Sequence, residues 1–149
     1  RTGGGRGRGA GPGAVTGVLL DTSAIFAAAR LRSDRHAAAA AAYRTLLTGT
    51  QRLVTTDLIL AELHALSLAR VHPTFGLDLI DRLLASDRIE IVAAGLERMA
   101  AAADLLRQRP GRAYSLADAV SFVVMRELAI SRAFTLDADF AAEGFEVVP

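Results

Sequence analysis

The 149-residue sequence contains no cysteine and no lysine, since all of its 17 basic residues are arginine. Without cysteine the chain has no disulfide, no zinc–thiolate site and no thiol nucleophile. Without lysine it has no Walker-A phosphate loop, no Schiff base and no phosphoaspartate site that depends on a lysine. Any catalytic chemistry must therefore come from carboxylates, hydroxyls, histidines or arginines.

Long apolar runs are also missing. The longest lies near residues 116–125, contains Asp118 and is shorter than the roughly 20 residues that span a bilayer. No segment at the start has the apolar middle of a signal peptide, so the sequence predicts a cytoplasmic protein with no membrane partner. A hydrophobic fraction of 52% with 22% charged residues is typical of one globular domain.

Charge is distributed unevenly along the chain. Residues 1–17 are rich in glycine and carry three arginines and no acid, which leaves 14 arginines against 16 acidic residues in the remainder. A glycine-rich stretch without apolar periodicity does not offset the entropy cost of ordering, so we expect a flexible tail at 1–17 and one domain at 18–149. The domain is slightly acidic, so attraction of a polyanion would need metal ions or local arginines.

Strand and helix patterns alternate from residue 18 onward. The sequence predicts strands at 18–20, 52–56, 88–93, 131–136 and 145–148, and helices at 22–30, 34–47, 57–70, 73–84, 96–108 and 115–128. Alternation without hairpin signals is typical of an α/β fold with helices on both faces of a mainly parallel sheet. We therefore expect a three-layer α/β/α domain.

Four acidic residues occupy positions where chemistry is expected in such a fold. Asp21 and Asp137 each follow a predicted strand directly, and the carboxyl ends of parallel strands meet at one edge of the sheet. Glu62 shares the face of an apolar stripe that begins at Ile59, where an unpaired carboxylate is costly. Asp118 lies in the first turn of an apolar helix, where the helix dipole favours an anion.

Structural roles are an alternative for three of these acids. Asp118 forms a capping-box pattern with Ser115, Asp137 could cap the short turn that follows it, and Asp21 could begin its own helix. No capping role explains Glu62. Taken one at a time these positions are weak signals, but four of them in one α/β chain indicate a carboxylate site.

The sequence blocks around these acids resemble the successive motifs of PIN-domain nucleases, in particular the VapC-like toxins of bacterial toxin–antitoxin pairs. The resemblance runs from about Val18 to the C-terminus, and it is carried by DTSAIFA, TTDLILAELHAL, SLADAVSFVVMREL and FTLDADF. The last two blocks are the most specific. The resemblance implies the three-layer PIN fold and a ribonuclease activity, with RNA as the substrate.

Carried over by motif, the family's acidic quartet corresponds to Asp21, Glu62, Asp118 and Asp137, and Ser23 to a hydroxyl that supports the site. Asp139 is close enough in sequence to share the role of Asp137 or to substitute for it. Hard oxygen ligands without a histidine or cysteine cluster favour Mg²⁺ or Mn²⁺ over zinc. Such ions activate a water for attack on a phosphodiester and neutralise the leaving oxygen. Our hypothesis makes Asp21 and Asp118 the main ligands, while Glu62 and Asp137 complete the shell or act through water.

The sequence also suggests partners. Arg107, Arg109 and Arg112 precede the Asp118 helix and are candidates to hold the RNA backbone, with a solvated loop as the equal alternative. The resemblance also implies a cognate antitoxin and a homodimer, neither of which follows from the residues themselves.

Other functions require residues that differ from those of a ribonuclease. A haloacid-dehalogenase-type phosphatase needs a second aspartate where Ser23 stands, and a receiver-type signalling domain needs an acidic pair before Asp21 and a late lysine. A catalytically silent PIN-like domain that binds RNA or protein is the third alternative, and the intact quartet argues against it. A housekeeping RNA-processing nuclease would carry the same four acids as a toxin.

Overall fold

A computed structural model describes residues 16–149 of the chain. The strands are β1 (Gly17–Leu20), β2 (Arg52–Thr56), β3 (Ile89–Val92), β4 (Arg132–Phe134) and β5 (Glu146–Val148). The helices are α1 (Thr22–Ala29), α2 (His36–Thr48), α3 (Asp57–Arg70), α4 (Pro73–Ala85), α5 (Gly95–Arg107), α6 (Leu116–Glu127) and α7 (Ala138–Ala142). Except for its last two residues, the predicted tail at 1–17 lies outside the described part of the chain.

The five strands form one sheet in the order β3-β2-β1-β4-β5, and all four pairings are parallel. Helix α1 packs against α2 and α3, and α3 against α4, while α5 and α6 form a separate pair. The prediction of a three-layer α/β/α fold with a mainly parallel sheet is confirmed. Within residues 16–149, no helix is both long and apolar enough to cross a membrane.

Strand order reverses between β1, the central strand, and its neighbour β4. From β1 the chain builds outward through β2 to β3 and then returns to place β4 on the other side of β1. Gly17 begins β1 where the sheet is crowded, because a Cβ there would lie 2.6 Å from a side-chain carbon of Ile130. Parallel sheets of this kind hold their sites at the carboxyl ends of the strands beside the reversal. Residue 21 follows β1 and residue 135 follows β4.

The core lies on both faces of the central strands. All four residues of β1 are buried, as its unbroken apolar sequence predicts for a strand covered on both sides. Helix α6 is buried along most of its length, and Phe122 packs edge-on against Phe140 with ring centroids 4.9 Å apart. This packing anchors α6 and α7, the two helices whose first turns carry Asp118 and Asp139.

Side chains at the helix termini explain where several helices begin. Thr56 caps α3 by accepting the amide hydrogen of Ile59, and His72 caps α4 in the same way. Ser115 caps α6, so this helix begins one residue later than the sequence pattern suggested. Arg88 donates to four main-chain carbonyls at the end of α2 and the loop after it. The observed bounds of β2 and α3 are those predicted, and the other bounds differ from the predicted ones by at most two residues.

Candidate active site

Asp21 stands at the end of β1 and is almost completely buried. Its amide donates to the carbonyl of Phe134 at 2.9 Å, which continues the pairing of β1 with β4. Its carboxylate oxygen Oδ2 accepts hydrogen bonds from Ser23 Oγ at 2.9 Å and Thr135 Oγ1 at 2.7 Å. Although Asp21 is the N-terminal flanking residue of α1, its side chain makes no capping hydrogen bond. The capping alternative considered for Asp21 therefore does not account for its buried carboxylate.

Thr135 links the two strand ends. Its hydroxyl donates to Asp21 and accepts the amide hydrogen of Asp137 at 2.9 Å. Ser23 makes a parallel link, since its hydroxyl donates to Asp21 and accepts the amide hydrogen of Leu136 at 2.9 Å. Each hydroxyl has one proton, so both protons are committed to the Asp21 carboxylate. The loop after β4 is thereby held against the residue that ends β1.

Glu62 projects from α3 toward the same edge of the sheet and is half-buried. Its Oε2 accepts a hydrogen bond from Thr22 Oγ1 at 3.2 Å, and its Oε1 accepts a longer one from Ser115 Oγ at 3.4 Å. The hydroxyls belong to the first residue of α1 and the cap of α6. Glu62 therefore lies where three helices meet, which agrees with its place on the inward stripe of α3.

Asp118 and Asp137 have the structural roles that the sequence suggested as alternatives. Ser115 and Asp118 form a complete capping box at the start of α6, with both hydrogen bonds at 3.0 Å. Asp137 caps α7 by accepting the amide hydrogen of Asp139 at 2.9 Å. In each case one carboxylate oxygen serves as the cap. Each aspartate retains a second oxygen for other partners, so capping and ligand binding are compatible.

The tightest group of carboxylates is formed by Asp118, Asp137 and Asp139. Each of the three side chains offers one oxygen, and these oxygens all lie within 4.8 Å of one another. Asp139, which was expected to share the role of Asp137 or to substitute for it, is a member of this group. The acidic cluster, defined here as Asp21, Glu62, Asp118, Asp137 and Asp139, gathers residues from four segments of the chain.

The acids of the cluster disfavour one another's charge. Burial is the largest cause that raises the pKa of Asp118, to about 6, and the charges of Asp21 and Asp137 add to it. Burial also raises the pKa of Glu62, with further contributions from the same two aspartates. The pKa of Asp21 is raised mainly by burial, and that of Asp139 by burial and then by Asp137. The four predicted acids lie at the same edge of the sheet, because Thr135 contacts Asp21 and Asp137 and Ser115 contacts Glu62 and Asp118.

A divalent cation fits this donor set. None of the six ion pairs among residues 16–149 involves an acid of the cluster. The cluster offers carboxylate oxygens without histidine or cysteine, which is the ligand chemistry of hard cations such as Mg²⁺ and Mn²⁺. A bound cation would relieve the repulsion that raises the pKa values of the acids.

The arginines singled out from the sequence have different surroundings. Arg107 pairs with Asp104 at 2.7 Å, and Arg109 pairs with Glu143 at 2.9 Å. Arg112 is exposed, belongs to none of the ion pairs of the described residues, and its charge lowers the pKa of Asp139. Of the three, Arg112 is the one whose guanidinium is both near the acidic cluster and available to a ligand.

Two residues of this region were not found by sequence reasoning. Thr135 stands two positions before Asp137, and its place near the end of the predicted strand at 131–136 was the one signal that could have indicated its contact with Asp21. Glu143 has a 3% exposed side chain that accepts hydrogen bonds from Arg109, Arg126 and Tyr114. Nothing in the local pattern separates this glutamate from an exposed helix end.

Comparison with known proteins gives a family and a relative. The family model described as PIN domain matches residues 18–145. The chain is 45% identical over 69 residues to the 23S rRNA-specific endonuclease VapC20 of Mycobacterium tuberculosis, in both of two strains. That alignment covers 46% of this chain and 51% of the relative, so it spans about half the length of the curated proteins it matches.

A solved structure is similar over a longer stretch. The crystal structure of Mycobacterium tuberculosis VapC20, described as a sarcin–ricin loop cleaving toxin, superposes with a TM-score of 0.79 and 28% sequence identity. The match covers 89% of this chain and 99% of that one. The shared fold therefore extends over most of this chain.

Proposed function

The chain belongs to the PIN-domain family, and we propose that it is a divalent-cation-dependent ribonuclease acting as the toxin of a toxin–antitoxin pair. The observation that carries this proposal is the acidic cluster, in which five carboxylates converge on one edge of the sheet and form no ion pair within residues 16–149. Unpaired charges held this close are costly to a fold. Their presence is explained if they bind cations that act on a phosphodiester.

Within the cluster we assign the cation to Asp21, Asp118 and Asp137, with Asp139 as a further ligand. The short separation of the oxygens of Asp118, Asp137 and Asp139 supports this assignment. Mg²⁺ or Mn²⁺ held by these residues would lower the pKa of a bound water and would neutralise charge on the leaving oxygen. Ser23 and Thr135 keep the Asp21 carboxylate oriented through their two hydrogen bonds.

Glu62 has a different role in this proposal. It lies outside the tightest group of oxygens, and its pKa is raised by burial and by the neighbouring aspartates. A carboxylate with a raised pKa is a better proton acceptor near neutral pH. We assign Glu62 to accept a proton from the attacking water, with Thr22 and Ser115 holding the side chain in place. Arg112 is placed to contact the RNA backbone near Asp139.

RNA is the proposed substrate because the relative VapC20 is named as a 23S rRNA-specific endonuclease and its structure is described as a sarcin–ricin loop cleaving toxin. The carboxylates by themselves do not separate RNA from DNA. The sarcin–ricin stem-loop of 23S rRNA is therefore the first RNA to test. A cognate antitoxin and a homodimer are proposed from the same family resemblance.

The experiment is cleavage of a labelled sarcin–ricin stem-loop RNA in Mg²⁺ or Mn²⁺, with EDTA as the metal-free condition. Asp118→Asn should abolish cleavage, because it removes a carboxylate from the cluster while its amide oxygen keeps the capping contact. Asp81→Asn is the matched control, since Asp81 is exposed on α4 and belongs to no ion pair of the described residues. Equal cleavage by Asp118→Asn and wild type, or cleavage that persists in EDTA, would contradict the proposal.

A wild-type protein that cleaves neither this stem-loop nor total RNA calls for a second measurement. Thermal unfolding in EDTA and in Mg²⁺ reports cation binding without any substrate, because a ligand that binds only the folded state raises its stability. If Mg²⁺ stabilises the wild type but not Asp118→Asn, the cation site is supported, and the protein is expected to cleave a different target RNA. Absence of stabilisation in the wild type would favour a catalytically silent domain.

A further inference from the structure

A groove lined by arginines leads away from the acidic cluster. It consists of two adjoining cavities, of about 480 and 390 Å³, that share Arg30, Arg32 and Arg70 in their walls. The outer cavity ends at His72 and Phe75 at the start of α4. The inner cavity reaches Ser23 and Leu136 at the carboxyl edge of the sheet. We call these two cavities together the arginine groove.

The guanidinium groups of this groove are available to a ligand. None of the ion pairs found within residues 16–149 includes Arg30, Arg32 or Arg70. Arg30 lies over the ring of Phe26, with its guanidinium carbon 5.6 Å from the ring centroid. One acid, Asp34, lines the inner cavity. The groove therefore carries net positive charge on a chain whose domain is slightly acidic.

The inner end of the groove lies next to the acidic cluster. Ser23 lines the inner cavity and donates to the Asp21 carboxylate, while the amide of Leu136, another lining residue, donates to Ser23. A strand of nucleic acid whose scissile phosphate lies at the carboxylates must place its neighbouring phosphates on a surface beside them. The arginine groove is such a surface, and it begins next to Asp21.

We propose that the arginine groove binds the phosphate backbone of the RNA substrate on one side of the scissile bond. This inference rests on the proposed ribonuclease function and adds the residues that hold the substrate. The guanidiniums of Arg30, Arg32 and Arg70 contact phosphate oxygens, as arginines do at other nucleic-acid interfaces. The apolar floor, which includes Phe26 and Phe75, receives sugars or bases.

The test uses two double variants that remove the same charge. Arg32→Gln with Arg70→Gln alters the groove, and both residues are exposed, so the fold should tolerate the change. Arg44→Gln with Arg82→Gln is the control, because these arginines are also exposed, form no ion pair among the described residues and line neither cavity of the groove. The unfolding midpoint of each variant confirms that it is folded.

Binding and cleavage are both measured on the sarcin–ricin stem-loop RNA. Binding is followed by fluorescence anisotropy in EDTA, over a range of NaCl concentrations, and KM is measured in Mg²⁺. Each lost phosphate contact should reduce the salt slope by about 0.7, so the groove variant loses about 1.4. If these electrostatic contacts contribute nothing at 1 M salt, the slope difference over one decade of salt makes RNA binding by the groove variant roughly 25-fold weaker than that of the wild type at 0.1 M. The KM of the groove variant should rise in parallel.

The outcomes separate this inference from the proposed function. If the wild type cleaves RNA and the two double variants have equal KM values and equal salt slopes, the proposal that the groove binds RNA is refuted, while the ribonuclease proposal stands. A wild type that binds RNA but cleaves none would count against the ribonuclease proposal. The difference in salt slope between the groove variant and the control variant would still test whether the groove binds RNA. Binding of a polyglutamate peptide is measured by the same anisotropy assay. If the groove variant binds RNA as the wild type does but no longer binds the peptide, the groove is assigned to an acidic protein partner and the RNA proposal is refuted.

Discussion

Replacing Asp118 with asparagine should stabilise the metal-free protein while it destroys cleavage. The Asp118 carboxylate is half-buried among other acids, and in the absence of a cation its charge opposes folding. Asparagine has nearly the same shape, and its amide oxygen can still accept the hydrogen bond from the Ser115 amide. The substitution therefore removes the unfavourable charge and leaves the helix cap in place.

The size of the effect follows from the pKa of Asp118. Its rise from 3.8 to about 6 corresponds to about 3 kcal/mol at neutral pH if it is fully retained. Solvent screens a half-buried group, so we expect about 1–2 kcal/mol, or roughly 3–6 °C in Tm for a domain of this size. The folded state holds the proton of the Asp118 carboxyl more tightly than the unfolded state does. The loss of stability caused by the charged carboxylate is therefore absent below about pH 4, and it grows until the pH passes the pKa of Asp118 in the folded state.

The assay is thermal unfolding in EDTA at pH 7.5 and pH 5. The gain in Tm of Asp118→Asn over wild type should be about half as large at pH 5, where part of the penalty has not yet developed. Asp81→Asn should show no gain at either pH. A Tm of Asp118→Asn equal to or below that of wild type at pH 7.5 would refute the reasoning, as would a gain that does not depend on pH. Added Mg²⁺ should raise the Tm of wild type and narrow the difference.

Two further substitutions test contacts around the site. Thr135→Val should lower the free energy of unfolding by about 1–3 kcal/mol and reduce cleavage, because the half-buried Asp137 amide loses its acceptor and Asp21 loses a donor. Thr135→Ser keeps the hydroxyl and should restore both stability and cleavage, as measured by urea unfolding and cleavage assays. Glu143→Gln should cost about 2 kcal/mol at pH 7, since it weakens the hydrogen bonds from two arginines. The Arg126 and Arg109 contacts lower the pKa of Glu143 despite its burial, so its contribution is present above about pH 4.5 and is lost as pH falls through the folded value. Thermal unfolding from pH 7 to pH 3 should therefore show the wild type and the variant converging, and a constant difference would contradict this account.

Local sequence patterns were sufficient to predict the fold and the meeting of the four acids. The apolar run before Asp21 predicts a central strand, and the alternation of strands with helices predicts parallel pairing. Once the sheet is parallel, residues that follow its central strands must lie at one edge, so Asp21 and Asp137 come together. The place of Glu62 follows from helical periodicity in the same way. These inferences succeed because each depends on the repeat of a single element.

The detailed contacts of the site depended on how the elements pack. Asp139 was expected to share the role of Asp137 or to substitute for it, and it joins Asp118 and Asp137 in the tightest group of oxygens. Thr135 bonds to a carboxylate 114 positions earlier in the chain. Arg109, a candidate to hold RNA, pairs with Glu143, which lies 34 positions later in the chain. Such partners are set by the strand order and by the angles between helices, which no window of local sequence contains.

The sequence by itself therefore determined the kind of fold, the edge of the sheet where the site lies and the oxygen chemistry of that site. Only the tertiary structure decided which hydroxyls hold Asp21 and which arginines remain free for a ligand. The arginines of the groove show the reason most clearly. Arg30 and Arg70 end different helices and are separated by 40 positions, and only the packing of α1 against α3 brings them into the wall of one groove.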